Sequence, residues 1–231
     1  MSDDPLLPDP TGRPARRVPI FNAPPGTIWT AAILVVMFLT IRFGPHQFAR
    51  EAFDLLAFAP QSLSAYLATD QGGLLGALIP LVGHSLLHID WLHLVLNAGF
   101  LLAFGTVVER CFGTPWFLAI FAITAAAGAL FQFAVEPASP IPMIGASGAV
   151  YGMMGGAVPA LLSGRGHRRW RMGNALTFIG VMMVINLAIG LINGDGRLLG
   201  AAIAWQAHIG GFLAGLAICA LLLRLRRPRQ S

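Results

Sequence analysis

The chain of 231 residues is 56% hydrophobic and only 11% charged, with a mean hydropathy of +0.71. Soluble domains carry about 25% charged residues, so this composition excludes an ordinary soluble domain and points to one compact membrane bundle of roughly 20-residue spans. The formal charge is +5 with no lysine, and the fifteen arginines cluster in connections between apolar segments; arginines so placed orient a membrane protein and give no reason to expect nucleic-acid binding.

In chain order, residues 1–27 are polar and proline-rich, without the apolar core and cleavage site of a signal peptide, and are expected to form a flexible cytoplasmic tail. An all-α domain of six transmembrane helices is expected over 28–223, with a basic cytoplasmic tail over 224–231. The six apolar segments lie at about 28–43, 91–108, 114–134, 145–162, 174–192 and 202–223, and the shorter of them call for tilt or frayed ends. With both termini on the cytoplasmic side, twelve arginines fall inside and only Arg42, Arg50 and Arg197 outside. An odd number of spans does not give that partition.

Residues 44–90 are too long for a turn and too interrupted for an ordinary span. Phe48, Phe53, Leu55, Leu56, Phe58 and Tyr66 among polar residues suggest an amphipathic, membrane-associated first loop in the outer leaflet. A seventh span over 73–89 is the alternative; it spoils the arginine partition and drags His84, His88 and Asp90 into the bilayer. Residues 136–142 contain three prolines and break the helix before a glycine-rich run, while 193–196 read as a turn. Cys111 and Cys219, at the inner ends of their segments, suggest neither a disulfide framework nor a zinc knuckle.

Ionisable and polar groups inside spans are costly, so each is a functional candidate. His93 and Asn97 sit four apart in the second segment and share a helix face. Ser147 opens the fourth segment and His208 lies early in the sixth. All three segments run from outside to inside in the arginine topology, so these groups share one layer: His93 and Ser147 roughly 5 Å deep, His208 roughly 9 Å. A serine hydroxyl needs a neighbouring base, and His208 has the right chemistry and depth. Attack on a carbonyl creates an oxyanion, for which His93, Asn97 and the Ser147 N–H at a helix start are available donors. No acidic residue occupies this depth in the three segments, so the residues point to a Ser-His dyad.

Three short motifs, His93-Leu94-Val95-Leu96-Asn97, Gly145-Ala146-Ser147-Gly148 and Ala207-His208-Ile209-Gly210-Gly211, occur in this order on alternate segments. Together they resemble the H-x-x-x-N, G-x-S-G and A-H-x-x-G of the rhomboid intramembrane serine proteases, over roughly residues 84–215. The resemblance implies Ser147 as nucleophile, His208 as base, and His93, Asn97 and the Ser147 N–H as the oxyanion hole. It further implies that Tyr151 packs against the catalytic imidazole and that His88 serves hydrogen bonding in the loop near the site. Gly145 and Gly148 belong to the serine motif, and Gly211 and Gly215 form a G-x-x-x-G that, the resemblance implies, brings the sixth helix against the fourth. Glu109 matches an acidic residue at the inner end of the second span, with a structural hydrogen-bonding role or a place at the interface beside Arg110. The family's Trp-Arg pair of the first loop is absent, since Leu74 to Val82 contains neither. The implied activity is hydrolysis of peptide bonds in or near the outer ends of transmembrane helices. Partners would be transmembrane protein substrates and the lipid bilayer, with no cofactor, no metal and no nucleic acid. Arginine-only basic usage and the lack of a targeting segment fit a multi-pass protein of a bacterial plasma membrane.

Two other readings stay open: a catalytically silent rhomboid-like client-binding protein, and a metal or proton transporter using His84, His88, His93 and His208. His84 and His88 form only half of a zinc signature, without the glutamate of H-E-x-x-H. His46 and His167 read as solvated, Gln132, Asn174 and Asn186 as interhelical glue, and Met153, Met154, Met182 and Met183 as packing.

Overall fold

A computed structural model describes residues 23–70, 73–163, 169–192 and 204–226. Most of the expected tail of 1–27, the arginines at 165 and 168, Arg197, His167 and residues 227–231 lie outside them. The described residues are almost wholly helical, and the only β pairing among them is one antiparallel bridge between Phe58 and Met143.

Helix α1, Pro25–Phe43, starts three residues earlier than the first apolar segment because Pro25 occupies the first turn, where no N–H is needed. Four of the helices are long and apolar enough to cross a membrane: α1; the continuous Trp91–Phe112; α7, Thr114–Val135; and α10, Trp205–Leu225. Trp91–Phe112 comprises α5, Trp91–Phe100, a π-helical turn, Leu101–Gly105, and α6, Thr106–Phe112. Helix α8, Ser147–Leu162, is shorter, and so is the apolar part, Gly173–Ile189, of α9, Arg169–Ile192. Each expected span therefore coincides with a helix. Many large apolar side chains on these helices face outward, including Trp29, Val36, Val95, Leu118, Val184 and Leu221. In a soluble domain so much exposed apolar surface would be a liability, whereas against lipid it is the ordinary outer face.

The first loop folds into three helices, α2, His46–Leu56, α3, Pro60–Thr69, and α4, Gly73–Gly83, followed by a single 3₁₀ turn at His84–Leu86. Helix α4, interrupted by Pro80, is too short to cross. This loop is packed into the protein. Phe58, Leu63 and Ala77 form a small apolar cluster with Ala129, Met143 and Ala207.

Helix α8 is the centre of the bundle. Gly148, Ala149, Val150, Gly152, Met153, Met154, Gly155, Gly156, Ala157 and Ala160 are buried, so almost every face of the helix meets protein. Helix α10 lies directly against it. A Cβ on Gly211 would collide with the carbonyl oxygen of Gly148, and one on Gly215 with that of Gly152. The two backbones approach so closely that only glycine fits at these crossings.

The end of the bundle away from Ser147 is pinned by Glu109. Its buried carboxylate accepts from the N–H groups of Gly26 (2.8 Å) and Thr27 (2.6 Å) and from the hydroxyls of Thr27 (2.6 Å) and Thr114 (2.7 Å). It thereby caps the first turn of α1 and ties it to the start of α7, which is the structural one of the two roles left open for it. At the same end the Arg226 guanidinium donates to the carbonyls of Cys111 (3.2 Å) and Phe112 (3.3 Å) and lies over the Phe112 ring.

Candidate active site

Ser147 is the first residue of α8, half-buried, and its placement follows from the residues before it. Gly145 has φ of +111°, a conformation that a side chain strongly disfavours, and a Cβ there would sit 2.5 Å from the His93 ring. Gly145 therefore does two things: it turns the chain into α8 and lets His93 lie against the serine motif. The Gly145 N–H donates to the His84 carbonyl (2.9 Å), and Met143 exchanges backbone bonds of 2.7 and 3.2 Å with Phe58. The first loop thus holds the serine-bearing turn in place. As the opening residue of a helix, Ser147 presents an N–H without an intrahelical acceptor.

His208 is the fourth residue of α10 and is buried, with its Nε2 2.8 Å from the Ser147 Oγ. Tyr151, one turn after the serine on α8, stacks flat on the imidazole, with centroids 4.4 Å apart and planes 6° from parallel. The ring is held on its face by Tyr151 and on one edge by Ser147. Its other nitrogen, Nδ1, meets the side-chain oxygen of Asn186 on α9. Asn186, read from sequence as interhelical glue, also donates from Nδ2 to the Trp205 carbonyl at 3.4 Å. Sequence spacing gave no signal that it touches the site.

His93 and Asn97 lie on one face of α5, whose start is capped by the Asp90 carboxylate accepting the His93 N–H at 2.8 Å. His93 is half-buried against Gly145. Asn97 is buried, and one N–H of its amide goes back to the His93 carbonyl (3.0 Å); an amide has a second N–H to offer. His93 is therefore beside the serine motif, while the recorded bond of Asn97 stays within its own helix.

His88 is buried in the loop before α5 and packs edge-on against His93, centroids 5.0 Å apart. Burial, and then the neighbouring His93, pushes its pKa down to about 4, so the ring is neutral at pH 7. Neither ring nitrogen meets strict hydrogen-bond geometry with a described residue, although the Leu86 backbone lies close enough to act on the ring in the opposite sense to burial. His84 is buried too, with Nδ1 2.8 Å from the Pro80 carbonyl, while His46 is exposed. Among the described residues no group of three or more His, Cys, Asp or Glu is arranged to hold a metal ion.

A serine oxygen within hydrogen-bond reach of a stacked, buried imidazole, at the N-terminus of a helix and beside a second histidine, is an arrangement suited to acyl transfer. The Rhomboid domain family model matches residues 75–225. The rhomboid protease GluP of Bacillus subtilis (strain 168) is 34% identical over 136 residues, which is 59% of this chain and 24% of that protein. RHOMBOID-like protein 5 of Arabidopsis thaliana is 28% identical over 137 residues, 59% of this chain and 41% of that one. The rhomboid protease GlpG of Haemophilus influenzae is 26% identical over 136 residues, 58% of this chain and 65% of that one. The chain thus spans less than two thirds of each of these relatives. The matched stretch is well over half of the chain and contains His93, Asn97, Ser147 and His208, and with it the resemblance of the three motifs becomes membership: the chain belongs to the rhomboid family.

Proposed function

We propose that the protein is an intramembrane serine protease that hydrolyses peptide bonds in or near the outer ends of transmembrane helices. The observation that carries this reading is the 2.8 Å approach of His208 Nε2 to Ser147 Oγ, between the opening turns of two apolar helices. In the first step His208 takes the proton from Ser147 as Oγ bonds to the substrate carbonyl carbon. The carbonyl oxygen becomes an oxyanion, with the Ser147 N–H, His93 and Asn97 as its donors. Return of that proton from His208 to the leaving amine breaks the C–N bond and leaves an acyl-serine. A water, deprotonated by His208, then hydrolyses the ester and regenerates Ser147.

This chemistry accounts for an outer rather than a central site, because water is needed for deacylation and scarce at the bilayer midplane. It also requires a substrate helix to unwind locally, since a helical carbonyl is engaged with its own N–H; glycine, proline and small residues near the cut make that easier. The substrate enters from the bilayer past α9, whose outward residues Val184, Ile185 and Leu187 are exposed, or past the first loop. A six-span topology with both termini cytoplasmic puts all the site residues in the outer layer and twelve arginines inside. A bacterial plasma membrane is the proposed location.

The intact Ser147–His208 pair favours this over a silent client-binding protein. In liposomes the purified protein is expected to cleave a model transmembrane substrate, and Ser147→Ala to lose at least about 10³-fold in rate while remaining folded. Equal cleavage by Ser147→Ala would exclude the mechanism.

A further inference from the structure

We propose that Asn186 is a positioning residue of the site, holding His208 in the one tautomer that can accept the Ser147 proton. This rests on reading Ser147 as nucleophile and His208 as base. Both nitrogens of the buried His208 ring are engaged, Nε2 with Ser147 Oγ and Nδ1 with Asn186 Oδ1. An amide oxygen only accepts, so the proton of the neutral imidazole must sit on Nδ1, and Nε2 must offer its lone pair to the serine hydroxyl. The orientation of the amide is itself fixed, because its Nδ2 faces the Trp205 carbonyl, which also only accepts. Turned over, the amide would lose that bond and present N–H groups to Nδ1. The proton would then move to Nε2, where it blocks the base.

Among the described residues, Asn186 is the group that meets Nδ1. Tyr151 covers the face of the ring and does not reach Nδ1. The Glu136 carboxylate accepts from Gln206 (2.7 Å) and Gln132 (3.2 Å) at the junction of α7 and α10. Asn186 is buried on a helix whose neighbouring positions Ile185 and Leu187 are exposed and apolar, so its amide is turned inward rather than left facing lipid. When His208 becomes an imidazolium, the Nδ1–H···O bond becomes charge-assisted and strengthens in the step where it is needed. The third partner of the site is therefore a neutral amide from α9, where a carboxylate is absent.

Asn186→Leu keeps the size and removes the acceptor, whereas Asn186→Asp keeps an oxygen in the same place. For cleavage in liposomes, Asn186→Leu and Asn186→Ala are expected to lower kcat roughly 10- to 10³-fold with KM within about twofold of the wild type and an unaltered thermal midpoint. Asn186→Asp is expected to recover most of that loss. The rate of labelling of Ser147 by a fluorophosphonate should fall and recover in parallel. Wild-type kcat in Asn186→Leu, a loss carried by KM, or an Asp variant no better than Leu would each overturn the positioning role. Ser147→Ala and His208→Ala are run beside them. If these two are inactive and Asn186→Leu is not, only the role of Asn186 falls; if Ser147→Ala still cleaves, the dyad itself falls.

Discussion

The chemistry proposed for Ser147 depends on how few of its neighbours are free to move. Gly145 sets the turn, Tyr151 fixes the plane of the His208 imidazole, and the Gly145 N–H is tied to the first loop. Asn97 is the residue whose role is least constrained by its recorded contacts, since its bond runs to the His93 carbonyl. If its second N–H meets the developing oxyanion, Asn97→Ala should lower kcat by about 10²- to 10³-fold with little change in KM, as loss of one oxyanion donor does elsewhere; a variant with wild-type kcat would remove it from the oxyanion hole. Serine and both site histidines were legible in the sequence, because ionisable groups stand out in apolar segments and the three motifs fix their order. Asn186 was not. It lies 22 positions before His208 on another helix, and a lone asparagine in a membrane segment carries no spacing signal that separates glue from catalysis.

At the level of elements, the packing of α10 on α8 positions His208, the proposed base, against Ser147. Gly211 and Gly215 bring the two backbones into contact, a crossing that the family resemblance implied and that the spacing alone does not assign to a partner helix. Gly215→Val places side-chain atoms where the Gly152 carbonyl oxygen sits, so it is expected to cost at least about 1–3 kcal/mol and to separate His208 from Ser147. Gly180→Ala on α9 has nothing within 4 Å of the added Cβ and should leave the thermal midpoint and activity unchanged. A Gly215→Val protein with wild-type stability and activity would show that the close crossing is dispensable. The helices of the first loop were harder to anticipate. Segments of about ten residues show too little periodicity to separate helix from irregular chain, and what stabilises them is the burial of Phe58, Leu63 and Ala77 against distant residues. The π-helical turn at Leu101–Gly105 has no sequence signature at all, because it changes hydrogen bonding and not side-chain type.

For the whole molecule, orientation decides which compartment would supply water to the proposed reaction and where a substrate would be cut. In the proposed topology Arg50, near the start of the first loop, lies outside. In a protein with Cys111 and Cys219 replaced by alanine, Arg50→Cys is expected to react with a membrane-impermeant maleimide added outside intact cells; protection there, with labelling only after lysis, would invert the proposed topology. Composition made the membrane class legible, since it is a sum over many residues and tolerates errors in any one. The central claim, that Ser147 is a nucleophile activated by His208 within the outer layer of the membrane, is tested most directly by mapping a fluorophosphonate adduct by mass spectrometry on protein held in liposomes. The account predicts a single adduct on Ser147 in the wild type, and none above background in His208→Ala. An adduct on another residue, or equal labelling of Ser147 without His208, would contradict it.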